Sequence, residues 1–497
     1  MNISLLLQMA AEAGFDRVAL VCDGRRWTYP ELYDAARRAA GLFKACGCSY
    51  VALLDESSEA APIALFGAAM AGIPYVPLNY RLADEDLAAL LARIAPALII
   101  GDEGRASRLD SASGHTCLTR DSFVAQVCNE TLAVPDVADT DEDVAAQIFT
   151  SGTTSAPKAA LLKHANLMAY ILGTVEFMSA DENDAALVSV PPYHIAGIAA
   201  LMSSIYAMRR IVLLPAFSPE SWLGLVASER VTNAFLVPTM LQRIVLLLDQ
   251  GTQCELSSLR SIAYGGGRMP QELIERALDL MPNTGFTNAY GLTETSSTIA
   301  LLGPDDHREA HGSSDPAVRA RITSVGKPLP TIELEIRDDD GMVLAAGEVG
   351  EIYVRGEQVS GEYRERSALD SQGWFPTRDV GWLDNEGYLF LGGRADDVIV
   401  RGGENISPGE IEEVLATHSA IAESVAVGIP SVEWGEAVGI AITLRQGCEA
   451  PSETELQNLI RDRLRSSRVP EKMIVIDELP YNEMGKLLRR EIKALFA

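Results

Sequence analysis

The chain has 497 residues, about three times the size of a typical domain. Hydrophobic residues make up 47% of it and charged residues 22%, which excludes a disordered or fibrous protein. The 69 acidic and 41 basic side chains give a formal charge of −28. Because this charge would repel phosphate backbones and anionic membrane surfaces, we expect no nucleic-acid partner.

The cysteines and the apolar stretches predict a cytoplasmic protein without a membrane span. The seven cysteines are scattered, and their spacing fits neither a disulfide framework nor paired zinc knuckles. Residues 1–14 lack the basic start and cleavage site of a signal peptide. The longest uncharged stretch, 187–208, contains Pro191, His194 and Gly197, so we interpret it as a strand, a loop and a buried helix.

The first 320 residues alternate short apolar runs with Ala- and Leu-rich helical stretches. Helical stretches are predicted at 31–45, 62–72 and 84–95. The strand-like runs lie at 18–21, 51–54, 97–101, 146–150, 187–190, 210–214, 232–237 and 261–265. Short strands separated by periodic helices are typical of an α/β protein with parallel sheets.

The pattern changes twice in the second half of the chain. From Lys327 onward, segments such as 332–344 and 347–356 combine short strands with turn residues, which predicts antiparallel hairpins. After Arg394 the chain forms a compact α+β unit of about 100 residues. We therefore predict a domain boundary near Arg394.

A loop rich in hydroxyl groups is the strongest local signal. It follows a strand-like run and comprises Thr150, Ser151, Gly152, Thr153, Thr154, Ser155, Ala156, Pro157 and Lys158. Hydroxyls and backbone N–H groups bind phosphate oxygens, and the lysine adds a cation. The loop is not a Walker motif, because the second glycine and the Lys-Ser/Thr pair are missing. A Ser/Thr-rich surface turn is the structural alternative.

Three later segments carry side chains of matching chemistry. Glu294 offers a carboxylate for Mg²⁺, and Tyr290 offers a flat face for a purine. Asp379 is suited to accept hydrogen bonds from both ribose hydroxyls, since an ionised acceptor makes the stronger bonds. Lys486 follows a glycine close to the C-terminus.

In order and spacing these segments resemble the adenylate-forming superfamily of acyl-CoA synthetases, nonribosomal adenylation domains and luciferases, most closely the acyl- or aryl-CoA ligases. The resemblance covers nearly the whole chain. It implies an α/β fold with a large N-terminal domain of two α/β sheet subdomains plus a β-barrel-like region, and a small mobile α+β C-terminal domain. The expected domains are 1–393 and 394–497, with the hinge near Asp396.

The resemblance implies a reaction in two steps. A carboxylate attacks the α-phosphate of ATP to give acyl-AMP and pyrophosphate, and a thiol then displaces AMP. Carboxylates are weak nucleophiles and ATP is strongly anionic, so charge neutralisation and positioning are the main requirements. The implied cofactors are ATP, Mg²⁺ and coenzyme A, the last as acceptor.

The resemblance also implies roles for the motif residues in the first step. Residues 150–154 and Lys158 would hold the β- and γ-phosphates, and Thr293 with Glu294 would serve Mg²⁺ and the α-phosphate. Lys486 would bridge the α-phosphate and the attacking carboxylate. The residues that would frame the adenine and the acyl group are Gly265, Gly266, Gly267, Asn288, Ala289, Tyr290 and Gly291.

The remaining implied roles concern the ribose and the second step. Asp379 and Arg394 would hold the ribose. After adenylation the C-terminal domain would rotate about Asp396 and carry Lys486 away. That rotation would bring Gly402 and Gly403 to the site for thioester formation.

Three positions depart from the superfamily pattern. Ser155 and Ala159 stand where a glycine is usual, so we expect a slightly different phosphate loop that keeps its function. Arg378 also replaces a usual glycine. We expect it to cap a surface turn, with a contact to the nucleotide as the alternative.

Other residues have a structural and a functional interpretation. His194 matches a position near the acyl pocket that often holds an aromatic or histidine gate, and a structural histidine is the alternative. We expect Cys46 and Cys48 to lie at a helix-to-strand turn without metal. We expect Glu412 and Glu413 on a solvent-exposed helix face.

The leading hypothesis is an ATP-dependent acid–CoA ligase, because residues 394–408 resemble CoA ligases more than amino-acid-activating domains. A free-standing adenylation enzyme that loads a carrier protein is the second hypothesis, and transfer to an amine or another non-thiol nucleophile is the third. A non-enzymatic binding protein is disfavoured, because Lys158, Glu294, Asp379 and Lys486 are all present.

The acid is expected to be a small aromatic or medium-chain molecule. Residues 265–267 would leave an open pocket wall, because glycine contributes no side chain. No acidic residue is evidently placed to bind a substrate amino group, which disfavours α-amino acids. We expect a monomer or a homodimer.

Overall fold

The computed structural model describes residues 1–101, 114–129, 143–150, 157–394, 397–402, 404–481 and 487–496. Its contacts divide the chain into two compact units. The first unit comprises Met1–Ile322, Pro328–Glu333 and Arg355–Phe375, and the second comprises Thr323–Lys327, Leu334–Val354 and Pro376–Ala497. The units interleave along the chain, and the boundary near Arg394 stays a prediction.

The first unit alternates strands with helices, as the sequence predicts. Its strands are β1 (Val18–Cys22), β2 (Arg25–Thr28), β3 (Tyr50–Leu54), β4 (Tyr75–Pro77), β5 (Ala97–Gly101), β6 (Thr116–Thr119), β7 (Val144–Thr150), β8 (Lys158–Lys163), β9 (Ala185–Val188), β10 (Arg210–Leu213), β11 (Asn233–Leu236), β12 (Ser261–Gly265), β13 (Gly285–Leu292) and β14 (Ser297–Leu302).

The helices of this unit are α1 (Ser4–Ala13), α2 (Tyr29–Cys46), α3 (Ala60–Ala71), α4 (Asp84–Ala92), α5 (Arg120–Val127), α6 (His164–Thr174), α7 (Ile195–Tyr206), α8 (Pro219–Ser228), α9 (Pro238–Asp249), α10 (Gln271–Leu280), α11 (Pro304–Gly312) and α12 (Pro316–Ala320). A short 3₁₀ turn, Thr293–Thr295, follows β13. The uncharged stretch 187–208 contains the end of β9, a loop and α7, so its interpretation is confirmed.

Two sheets form the framework of the first unit. One has the order β14-β13-β12-β11-β9-β10-β1-β2, and the other has the order β6-β5-β3-β4-β7-β8. Neighbours from β13 to β1 and from β6 to β7 are parallel, whereas β14, β2 and β8 pair antiparallel with β13, β1 and β7. The predicted α/β class is confirmed.

Local sequence explains where the helices begin and end. Thr28 accepts a hydrogen bond from the backbone of Glu31, whose carboxylate bonds back to Thr28, so a capping box starts α2. The helix ends at Cys46, before Gly47 at φ 69°, which confirms the predicted turn around Cys46 and Cys48. Every residue of α3 is buried, as expected for a helix packed on more than one side.

The second unit contains two smaller sheets. The next strand in the chain is the two-residue β15 (Lys327–Pro328). The strands after it are β16 (Glu333–Arg337), β17 (Gly350–Arg355), β18 (Phe375–Leu383), β19 (Leu389–Arg394), β20 (Ile399–Arg401), β21 (Glu404–Ile406), β22 (Ile421–Ser431), β23 (Gly435–Leu444) and β24 (Lys472–Val475). The sheet orders are β16-β17-β18-β19 and β21-β20-β23-β22, with β24 on β23. The helices are α13 (Pro408–Ala416), α14 (Glu453–Arg461) and α15 (Arg489–Ala494).

The prediction for Glu412 is wrong. Its side chain is buried beneath α13, where it accepts a hydrogen bond of 2.9 Å from the backbone N–H of Ala426 on β22. Arg489 on α15 donates to both carboxylate oxygens of Glu412, at 2.5 and 3.0 Å, and its Nε atom lies 3.6 Å from Asp397 Oδ2. The helix face that carries Glu412 is therefore covered, whereas Glu413 is exposed as predicted.

We expect Glu412→Ala to lower the free energy of unfolding of the second unit by about 3 kcal/mol, because it leaves the Arg489 guanidinium without its main partner. The matched control Glu413→Ala should change it by less than about 0.5 kcal/mol. Urea denaturation of the full chain, with hydrogen exchange read at the amides of β22, measures both. Equal effects of the two substitutions would contradict the buried pair.

Candidate active site

Several predicted site residues lie where parallel strands of one sheet end. The strands β9, β12 and β13 are parallel members of this sheet, so their carboxyl ends share an edge. His194 follows β9, Gly265 ends β12, and Glu294 follows β13. Ligands of open α/β sheets bind at this edge.

The predicted phosphate loop is closed by paired strands. Thr150 at the end of β7 is the register partner of Lys158 at the start of β8. Ser151, Gly152, Thr153, Thr154 and Ser155 lie outside the described residues. Ala159, where a glycine is usual, is buried and pairs with Phe149, so its methyl group is accommodated within the unit.

The Glu294 carboxylate is held in place by the 360–363 segment. Glu294 is buried on the 3₁₀ turn after β13, and Thr293 is half-buried beside it. The hydroxyl of Tyr363 donates a 2.6 Å hydrogen bond to Glu294 Oε1. The carbonyl of Glu294 accepts from the backbone N–H groups of Ser360 and Gly361, at 2.9 and 3.1 Å. Side chain and backbone are thus fixed together.

This carboxylate suits a metal ion that enters with its substrate. Among the described residues, no group of three His, Cys, Asp or Glu side chains is arranged to hold a metal ion by itself. Mg²⁺ commonly binds through one or two carboxylates together with substrate phosphates. A single positioned carboxylate fits that mode of binding.

The glycines of the predicted adenine and acyl region have a packing role. A Cβ atom at Gly265 would overlap the carbonyl oxygen of Ala289 on the neighbouring strand, and one at Gly291 would overlap that of Ser297. Gly266 has φ 79°, a conformation that favours glycine. Because the Cβ direction of Gly265 faces backbone, this glycine is explained by strand packing, and its place in a pocket wall stays a prediction.

The other residues of this group lie on β13 or just after β12. Tyr290 is largely buried, and Asn288 is half-buried. Gly267 is exposed next to Gly266. Their contacts with adenine stay predictions.

His194 lies at the N-terminal end of α7, against aromatic neighbours. Its ring centroid is 4.4 Å from that of Tyr193, which in turn contacts Tyr80. Its Nε2 atom is buried and has no hydrogen-bond partner among the described residues. Burial, with a smaller contribution from Arg81, lowers the pKa of His194 to about 3. The imidazole is therefore neutral at physiological pH.

The predicted ribose residues pair with each other in the second unit. Asp379 on β18 and Arg394 on β19 are register partners, and Arg394 Nε lies 3.1 Å from Asp379 Oδ1. The hydroxyl of Thr377 accepts a 3.1 Å hydrogen bond from the backbone N–H of Asp379. A carboxylate oriented in this way can accept hydrogen bonds from a diol.

Arg378 has a left-handed backbone conformation. Its φ is 62°, in the left-handed region, and it lies within strand β18. Its side chain is exposed and 3.7 Å from Glu351. The prediction that it caps a surface turn is therefore wrong, because the residue belongs to a strand.

The C-terminal site residues are described in part. Asp396, Gly403 and Lys486 lie outside the described residues. Gly402 has φ 60°, and its N–H donates to the carbonyl of Trp434, at 2.9 Å. It lies in the connection between the antiparallel strands β20 and β21, where a turn favours glycine, and its role in thioester formation stays a prediction.

Sequence reasoning missed two residues beside the phosphate loop. Arg93 donates to the carbonyl of Pro157, at 2.5 Å, and its guanidinium lies 4.9 Å from the ring centroid of Phe149, so it contacts one loop residue and the strand residue that precedes the loop. The ring centroid of Tyr363 is 5.4 Å from Lys158 Nζ. Neither residue belongs to a local motif, so the sequence carries no signal for them.

No helix in the described parts of the chain has both the length and the apolar run needed to cross a bilayer.

The chain is similar to members of a known enzyme family. The AMP-binding enzyme family matches residues 7–364, and the AMP-binding enzyme C-terminal domain matches residues 410–486. Fatty acid–[acyl-carrier-protein] ligase ScoC from Streptomyces coeruleorubidus is 31% identical over 494 residues, which cover 96% of this chain and 93% of that protein.

Two solved structures share the fold over nearly their whole length. O-succinylbenzoate coenzyme A synthetase (MenE) from Bacillus subtilis, solved with ATP and magnesium ion, has a TM-score of 0.84 and 28% identity, covering 98% of this chain and 99% of that one. A mutant of the amide bond synthetase Mcba from Marinactinospora thermotolerans has a TM-score of 0.87 and 27% identity, covering 100% of each chain.

The lowered pKa of His194 predicts a specific pH dependence of stability. Below its ordinary pKa of 6.5 the unfolded chain binds a proton that the folded chain does not bind until about pH 3. His194 therefore costs stability as the pH falls through that range, about 2 kcal/mol at pH 5, and costs none above it.

His194→Phe removes this proton linkage. Its free energy of unfolding should therefore fall less than that of the original chain between pH 7 and pH 5. Urea unfolding of the full chain at the two pH values, followed by a signal from the first unit, measures the difference in the free energy of unfolding. Parallel losses in the two proteins would show that His194 is not buried in its neutral form.

Proposed function

This chain belongs to the AMP-binding enzyme family, and we propose that it is an AMP-forming acid–CoA ligase for a small aromatic or medium-chain carboxylic acid. The observation that carries the proposal is the buried Glu294 carboxylate, oriented by Tyr363 in the same unit as Lys158 and the phosphate loop. The enzyme binds ATP with Mg²⁺ and activates the acid as acyl-AMP.

The first step requires residues that neutralise and orient ATP. We assign the β- and γ-phosphates to residues 150–154 and Lys158. Glu294 would hold the Mg²⁺ that enters with ATP, with Thr293 toward the α-phosphate. Lys486 would bring a positive charge to the attacking carboxylate oxygen and the α-phosphate, where negative charge develops in the transition state.

The ribose and the adenine are assigned to different strands. Asp379, oriented by Arg394 and Thr377, would accept hydrogen bonds from the ribose hydroxyls. Residues 265–267 and 288–291 would frame the adenine and the acyl group, with the neutral imidazole of His194 at the acyl end. An uncharged imidazole among aromatic rings suits an apolar acyl group better than a charged one.

The acceptor is the point on which the relatives differ. The names of the three relatives specify an acyl carrier protein, coenzyme A and an amide product, at 27–31% identity. The carrier-protein relative supports a second candidate function, in which the acyl group passes to a phosphopantetheinylated partner. Coenzyme A is proposed here because the segment after Arg394 resembles that of CoA ligases. Cytoplasmic location and a monomeric or homodimeric state stay predictions.

One experiment tests the acceptor. The enzyme is screened for pyrophosphate release with aryl, cinnamic and C4–C12 acids, and the best acid is then offered with coenzyme A, a phosphopantetheinylated carrier protein or a primary amine. The proposal expects acyl-CoA as the main product. If acyl-AMP forms and only the carrier protein or the amine is acylated, the CoA assignment is wrong.

We expect Lys486→Ala to lower kcat for acyl-AMP formation by roughly 10²–10³, because the lost charge acts mainly in the transition state. ATP binding should change little. Lys472→Ala is the matched control, since Lys472 is an exposed lysine of the same unit, and it should retain normal activity. Near-normal pyrophosphate release by the Lys486 variant would defeat the assignment.

We expect Gly403→Leu to form acyl-AMP normally and to transfer it slowly to coenzyme A. A glycine leaves room for the narrow pantetheine arm to approach the acyl carbonyl. Rapid-quench measurement of acyl-AMP and thioester separates the two steps. If both rates fall together with the melting temperature, Gly403 serves only to turn the chain.

A further inference from the structure

We propose that Tyr363 is a positioning residue for adenylation, whose hydroxyl orients the Glu294 carboxylate and whose ring contacts the Lys158 ammonium. The inference rests on the proposed function, which assigns Glu294 to Mg²⁺ and Lys158 to the ATP phosphates. It adds a residue that connects these two charges and is expected to contact neither the acid nor the nucleotide.

The hydroxyl contact fixes the carboxylate. The Tyr363 Oη–Glu294 Oε1 distance of 2.6 Å lies in the range of charge-assisted hydrogen bonds. Glu294 is buried, so few water molecules are available to replace this donor. A donor on one oxygen restricts rotation of the carboxylate and leaves the second oxygen in a defined direction, as is usual for carboxylates that bind metals.

The ring of the same tyrosine faces the phosphate-loop lysine. Lys158 Nζ lies 5.4 Å from the ring centroid, within the range of a cation–π contact. Lys158 is half-buried at the start of β8, so its ammonium is partly shielded from water. One side chain therefore influences both charged groups assigned to ATP.

The backbone around Tyr363 is tied to β8 on both sides. The N–H of Leu161 donates to the carbonyl of Glu362, and the N–H of Arg364 donates to the carbonyl of Ala159, each at 2.9 Å. Tyr363 itself forms an antiparallel bridge with Ala160. The hydroxyl consequently reaches Glu294 from a rigid strand-like segment, and this rigidity distinguishes a positioning role from a chance surface contact.

The test measures ATP binding without any acid, so that no reaction occurs. Isothermal titration calorimetry gives the Kd of ATP in the presence of Mg²⁺ and in the presence of EDTA. The Kd in EDTA divided by the Kd with Mg²⁺ (the Mg²⁺ ratio) reports the contribution of the metal. Tyr363→Phe removes the hydroxyl and keeps the ring, and we expect it to reduce this ratio roughly tenfold. Tyr29→Phe is the control, because it removes a buried tyrosine hydroxyl bond to the carbonyl of Arg209 elsewhere in the unit. It should leave the ratio unchanged.

Two further variants separate the ring from the hydroxyl. Tyr363→Leu also removes the ring, and it should raise the Kd of ATP in EDTA, which Tyr363→Phe should not change. In a Glu294→Gln background, Tyr363→Phe should have no additional effect on the ratio, since the carboxylate that its hydroxyl orients is already absent.

The inference is overturned if Tyr363→Phe keeps the original Mg²⁺ ratio, or if its effect in the Glu294→Gln background is undiminished. Should Tyr363→Phe fold poorly, Tyr363→Leu answers the same question: it should lower the ratio in the original chain and leave it unchanged in the Glu294→Gln background, and any other result overturns the inference. Failure of the proposed function has a different signature. In that case the original chain shows no pyrophosphate exchange with any acid, whatever the Mg²⁺ ratio of its variants.

Discussion

The connection between the 294 turn and the 358–363 segment is the constraint on which the candidate site depends. Backbone N–H groups of Ser360 and Gly361 donate to the carbonyl of Glu294. The buried amide of Gln358 donates to the carbonyls of Thr295 and Thr298, at 3.1 and 2.8 Å. Without these bonds the end of β13 would present unsatisfied backbone groups, and the Glu294 carboxylate would have no fixed direction.

Several of the candidate site residues lie on short connections, whereas the sheets supply the stable framework. The hydroxyl loop, the 3₁₀ turn and the segment around His194 follow β7, β13 and β9, each of which pairs in parallel with a neighbouring strand. In the second unit, the paired strands β18 and β19 hold Asp379 and Arg394 in the same way. Residues on such connections can vary to fit a different acid or acceptor while the sheets stay intact.

The sequence predicted what depends on local pattern. The alternation of strands and helices, the turn at Gly47 and the antiparallel strands after Lys327 follow from periodicity and turn residues, and the structure confirms them. The candidate residues at the ends of β7 and β13 belong to short motifs, so they were found without coordinates.

Long-range contacts account for what the sequence did not predict. Tyr363 and Glu294 form a hydrogen bond although 69 positions separate them in the sequence, and no periodic pattern predicts such a pair. The sequence predicted an exposed Glu412 because its helix carries two adjacent acidic residues. Glu412 is buried because β22 and α15, which are distant in the sequence, pack against its side chain. Arg378 adopts a left-handed backbone conformation within a strand, which a propensity argument cannot anticipate.

The central claim is that the chain activates a carboxylate by attack on the α-phosphate of ATP. Transfer of labelled oxygen tests it most directly. With an acid whose carboxylate carries two ¹⁸O atoms, the account predicts one ¹⁸O in the phosphate of AMP per turnover and none in pyrophosphate. Label in inorganic phosphate with ADP as the nucleotide product, or AMP without label, would contradict it.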